Sequence, residues 1–108
     1  MRYLVFGSDG PGFSSADEMI EVLENEILPT FDVLERLEAE GRIVAGGLPV
    51  GERTFAFIAE AESHEELDSM LRRIPSWGEL TWEVTPLQTF AGRARQERTI
   101  LEELKEDF

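Results

Sequence analysis

The run Thr54-Phe55-Ala56-Phe57-Ile58-Ala59 constrains this chain most. Alternation with a period of two puts Phe55 and Phe57 on one side of a strand and Ala56 and Ile58 on the other, so both sides are apolar. A strand of that kind belongs inside a sheet covered on both faces. With 108 residues, of which 42% are hydrophobic, the chain has material for one domain and one core. Covering a second face calls for a partner.

The flanking segments supply the rest of the pattern. Arg2-Tyr3-Leu4-Val5-Phe6 is a strand stopped by the turn formers Gly7-Ser8-Asp9-Gly10-Pro11-Gly12. Ser15-Ala16-Asp17-Glu18 has the spacing of a capping box and opens a helix whose apolar stripe is Ile20, Leu23, Ile27, Phe31, Leu34 and Leu37. Pro29 predicts a kink or break near Leu28, and Gly41 is the natural cap at the end. Residues 42–48 predict a short strand in which Gly46-Gly47 either bulges or admits another backbone closely. Ser63-His64-Glu65-Glu66 opens a second helix carrying Leu67, Met70, Leu71 and Ile74, which stops before Pro75. Residues 80–85 alternate as a fourth strand, ended by Pro86. Residues 91–108 predict a third helix, led by Arg93, Arg95 and Arg98, with Ile100, Leu101 and Leu104 available for burial. Basic residues at a helix start oppose the macrodipole, so this helix is expected to pack on something, such as a neighbouring subunit.

Strand, helix, strand, strand, helix, strand is the split βαβ order. It predicts an α+β, ferredoxin-like βαββαβ fold with two helices on one face of a four-stranded antiparallel sheet. The other face, apolar at Ala56 and Ile58, is expected to meet the same face of a second copy, closing a dimeric α+β barrel. The expected organisation is a ferredoxin-like domain over residues 1–90 and an extra C-terminal helical extension over residues 91–108.

Charge narrows the partners. Ten Lys and Arg against 23 Asp and Glu give a formal net charge of -13, which repels nucleic acid and anionic membranes while leaving room for a local basic pocket. There is no cysteine, hence no disulfide or thiolate chemistry, and no apolar run approaches a membrane span, so a cytoplasmic location is expected. No metal-ligand spacing or phosphate-cradling glycine motif is present, and neither a metal nor a cofactor is expected.

Glu62-Ser63-His64-Glu65-Glu66-Leu67, Ile74-Pro75-Ser76-Trp77 and Glu83-Val84-Thr85-Pro86-Leu87 stand at the spacing of a helix start, a turn and a strand end in the muconolactone isomerase family, which the chain resembles over residues 31–87. Leu37-Glu38-Ala39-Glu40-Gly41 fits the same frame without a gap before Ser63. The resemblance implies a dimeric ferredoxin-like fold, assembly as rings of dimers, and cofactor-free isomerisation of a carboxylate-bearing lactone by moving a proton. Two places depart from the family. Its Trp, Arg and His after the helix-ending glycine are replaced by Arg42-Ile43-Val44-Ala45-Gly46-Gly47-Leu48, and its acid and lysine in the middle of helix one by Leu28-Pro29-Thr30-Phe31, with Asp32 the nearest acid.

A proton-moving isomerase needs a base beside the acidic carbon and a donor or cation for the oxyanion. Glu83, Asp32 and Glu35 are the candidate catalytic bases, while Arg42, Arg53 and Tyr3, with Trp82 as an aromatic surface, are the candidate substrate-binding residues. Against these stand plainer readings: Asp32 and Glu35 as solvated helix residues, Trp82 as a core anchor, and His64, the one histidine, as part of a helix start. The function read from the sequence is an isomerase acting on a small lactone or oxygenated organic acid. The alternatives are a non-catalytic module of the same fold that binds small molecules or builds an oligomer, and a cofactor-free monooxygenase.

Overall fold

A computed structural model describes residues 1–107. Strand β1 (Arg2–Ser8) lies between β3 (Phe55–Glu60) and β4 (Thr81–Leu87), and β2 (Ile43–Gly47) lies outside β3. Every neighbouring pair is antiparallel, and the order β2-β3-β1-β4 is the ferredoxin-like α+β arrangement that the pattern predicts. Tyr3 and Val5 of β1 join Phe55, Phe57 and Ala59 of β3 on the buried face. There they meet Leu37 of helix α2 (Leu28–Ala39) and Leu67, Met70 and Leu71 of α3 (His64–Arg72). The alternate residues Leu4, Phe6, Ala56 and Ile58 form the other face and are half-buried only.

The helix starts follow from local chemistry. Ser15 Oγ accepts the Glu18 N–H at 3.1 Å to open α1 (Ala16–Val22), and Ser63 Oγ accepts the Glu66 N–H at 3.1 Å to open α3. In both boxes the returning carboxylate reaches one residue further back than the usual pattern: Glu18 accepts from Ser14 N–H and Glu66 from Glu62 N–H, each at 2.8 Å. At the end of α2, Gly41 adopts a φ of 77°, and the Arg42 N–H reaches the Leu37 carbonyl at 2.9 Å, a Schellman cap.

The interruption expected near Leu28 takes the form of a π turn over Leu23–Ile27, not a broken chain. Leu23 and Leu28 keep helical dihedrals, and the Leu28 N–H bonds the Leu23 carbonyl. The wider turn absorbs Pro29, which lies in the first turn of α2, where its missing donor is tolerated. Of the two alternatives predicted for the glycines of β2, the close approach is the one seen: a Cβ at Gly46 would lie 2.5 Å from Phe57 Cβ, whereas the register shift of the strand falls earlier, between Ile43 and Ala45. Strand β4 runs through Pro86 to Leu87, past the expected end, because an edge strand tolerates a residue without a donor.

Helix α4 (Phe90–Asp107) buries no residue and draws the molecule out to 69 × 26 × 22 Å. It begins one residue before the expected extension, whose last residue, Phe108, lies outside the described residues. Among the described residues no helix is long and apolar enough to cross a membrane.

Candidate functional site

The loop between β1 and α1 turns through Asp9, at a φ of 58°, and lies over the end of the sheet. Arg53, in the β2–β3 loop, fastens it there: its Nη1 donates to the Pro11 carbonyl at 3.1 Å, and its guanidinium sits 4.8 Å from the centre of the Phe13 ring. Beneath lies a pocket of about 240 Å³, walled by apolar side chains including Met19, Leu23, Ile27 and Leu80, with Arg53 and Glu52 at its polar rim. Of the five N–H donors of Arg53, one is used on the Pro11 carbonyl.

Phe31 and Phe55, edge to face at 5.6 Å, line this pocket and a second, smaller one of about 140 Å³ on their other side. Leu48 also lines both. Glu35 and Glu38 of α2 bound the second pocket, opposite Gly46 and Gly47. The two hollows adjoin across Phe31, Leu48 and Phe55, with Glu35 and Glu38 lining the smaller and Glu52 and Arg53 the larger.

Thr30 of α2 and Ser76, after α3, form a buried neutral pair. Thr30, 0% exposed, donates to the Glu26 carbonyl at 2.7 Å and lies 2.8 Å from Ser76 Oγ, which lines the larger pocket. Because the single Thr30 hydroxyl hydrogen is directed to Glu26, the Ser76 hydroxyl is the donor between them. The π turn sets Glu26 near Glu79, and burial, followed by the contact with Glu79, raises the Glu26 carboxyl above its usual range.

Of the residues singled out from sequence, Glu35 lines the smaller hollow and Arg53 the larger, and the others lie elsewhere. Asp32 is exposed on α2. Glu83 stands opposite Phe6 on the half-buried sheet face and is exposed. Arg42 is paired with Glu66 at 3.1 Å. Trp82 lies over Gly7 and donates its indole N–H to the Trp77 carbonyl at 3.1 Å. Tyr3 is 1% exposed and meets His64 Nδ1 at 2.6 Å, beside a wide hollow bounded by Arg2, Glu60 and Leu87 at the far end of the sheet. Sequence reasoning passes over Glu52 and Ser76. Ser76 does fall inside the Ile74-Pro75-Ser76-Trp77 signature, whereas nothing local marks Glu52 except its neighbour Arg53. Among the described residues no group of three or more His, Asp or Glu could hold a metal ion.

Residues 14–92, well over half of the chain, match the family model described as muconolactone delta-isomerase. A crystal structure of muconolactone isomerase superposes with a TM-score of 0.66 at 18% identity, over 82% of this chain and 90% of that one, a likeness of fold. The 5-chloro-2-hydroxyhydroquinone dehydrochlorinase of Burkholderia phenoliruptrix AC1100, solved with 2,5-dihydroxybenzoquinone, superposes with a TM-score of 0.59 at 26% identity, over 82% of this chain and 94% of that one. No curated protein matches the chain.

Proposed function

The chain belongs to the muconolactone delta-isomerase family, and from that premise we propose that it moves a proton, without a cofactor, on a small lactone or oxygenated ring acid held in the cleft between α2 and β3. One observation carries the reading: Glu35 and Arg53, an acid and a cation, line adjoining hollows that share Phe31, Leu48 and Phe55. An oxygenated ring lies against the aromatic pair, and Arg53 holds its carboxylate or developing oxyanion. Glu35 takes the proton from the carbon beside the carbonyl, the electron pair moves onto oxygen as an enolate, and the proton returns at another carbon. The product is an isomer, and the carboxylate is regenerated.

Helix one carries Leu28-Pro29-Thr30-Phe31 where the resemblance implies an acid and a lysine, so the substrate proposed is a relative of muconolactone. A ring bearing adjacent oxygens, as in the quinone bound by the dehydrochlorinase, is of the proposed class. The body over residues 1–90 carries the cleft, in the cytoplasm, and its half-buried face of Leu4, Phe6, Ala56 and Ile58 packs on a second copy. Exposed Glu83 then lies at that junction, where it needs a cation from the partner. A thermal-shift screen with lactone acids and hydroxyquinones tests the binding step: a ligand that raises the melting temperature of the wild type should do so far less for Arg53→Ala. Equal shifts in both proteins remove Arg53 from the site, and no shift with any such ligand favours the assembly module.

A further inference from the structure

Helix α4 has 18 residues and buries none of them. At 1.5 Å per residue it extends about 27 Å. A helix of this length without a packed face is marginal in water. Its charges make matters worse. Arg93, Arg95 and Arg98 occupy the first half, with no acid in the first turn, while Glu102, Glu103, Glu106 and Asp107 crowd the second half around a single basic residue, Lys105. Both ends oppose the helix dipole. The same arrangement becomes favourable when an identical helix lies alongside in the opposite direction, because each basic half then faces an acidic half and the two dipoles oppose one another.

The apolar positions supply a seam. Phe90, Ala94, Leu101 and Leu104 recur at steps of four, seven and three and fall on one face, crossed by Glu97, which is tied to Arg93 at 2.8 Å. Phe90 is 97% exposed, and Leu101 and Leu104 are half exposed. At about 100° per residue, Arg98 and Glu102 stand on one flank of this face and Arg93 and Asp107 on the other. Both pairs are centred on residue 100.

We propose that α4 docks against α4 of a second copy of this chain, antiparallel and crossing near Ile100. Arg98 then faces Glu102 of the second copy, Arg93 faces Asp107, and Leu104 lies over Ala94, each contact made twice by symmetry. A parallel pair would set like charges side by side. The matched family segment ends at residue 92, so this interface is a property of the extension and is independent of the isomerase reading.

The absence of native cysteine makes the geometry directly testable in the full chain. Under mild oxidation, Leu101→Cys should cross-link to itself. Ala94→Cys alone should not, but should cross-link when mixed with Leu104→Cys. Self-linkage of Ala94→Cys as efficient as that of Leu101→Cys indicates a parallel pair and overturns the proposal. So does the loss of every cross-link, which leaves the helix to some other partner. A second arm uses charge. In the Leu101→Cys background, Arg93→Glu with Arg98→Glu should abolish self-linkage, as should Glu102→Arg with Asp107→Arg, and mixing the two proteins should restore it. Self-linkage that survives either reversal contradicts the assigned contacts.

Discussion

Tyr3 Oη lies 2.6 Å from Nδ1 of His64, joining the start of β1 to the start of α3, 61 residues further along the chain. The rings also meet edge to face, with centroids 5.6 Å apart. Burial, followed by the nearby charge of Glu65, raises the Tyr3 phenol above its ordinary value of 10.0. A phenol that keeps its proton donates to Nδ1 in the tautomer that carries the imidazole proton on Nε2.

Tyr3 is the only tyrosine, so the phenolate absorbance band reports on it alone. Its titration should lie above pH 10.0 in the folded protein and return to that value in denaturant. Because the folded state holds the proton more tightly, this contribution to stability is complete below the ordinary value and is lost as pH rises through the raised one. Tyr3→Phe should lower the melting temperature at neutral pH by roughly 5 °C, as expected for one lost hydrogen bond in a domain of this size, and should flatten the alkaline decline. A titration at the ordinary value in the folded protein would refute the buried pairing.

The direction of the hydrogen bond between Thr30 and Ser76 makes the two side chains unequal. Thr30→Val leaves the buried Ser76 hydroxyl without its acceptor and should cost about 1–3 kcal/mol. Ser76→Ala leaves Thr30 still donating to Glu26 and should cost about 1 kcal/mol or less. Urea unfolding of the two variants measures both; the reverse ranking would mean that the proton runs the other way.

Glu26 is held above the ordinary carboxylate value of 4.5, first by burial and then by Glu79. A raised carboxyl favours folding while protonated, and that contribution is lost as pH rises through the raised value. Glu79→Gln should therefore raise the melting temperature at pH 7 by on the order of 2 °C, with the gain vanishing below the ordinary carboxylate range. A variant that melts lower than the wild type at pH 7 would show that the two carboxyls do not oppose each other.

The parts legible in the sequence are those with local causes. Ser15, Ser63 and Gly41 mark helix ends because capping involves neighbours in the chain, and the alternation of residues 54–59 marks β3 because a strand has period two. Pro29 signals a disturbance, but whether helix one breaks or widens depends on packing against the sheet, which the local sequence does not encode. The site was less legible for the same reason. Glu35 and Arg53 have no signature of their own, and only the fold brings their loop and helix to a common pair of phenylalanines. His64 has a sufficient local explanation as part of a cap, which hides its contact with Tyr3 across the sheet edge.

Solvent-deuterium exchange into a bound lactone acid, followed by NMR, tests the proposed proton transfer by Glu35 on a ring held by Arg53. The wild type should catalyse exchange at the carbon beside the carbonyl. Glu35→Gln should lose at least about a hundredfold in rate, as for a removed general base, while still binding the ligand. Exchange by Glu35→Gln at the wild-type rate would remove Glu35 from the reaction.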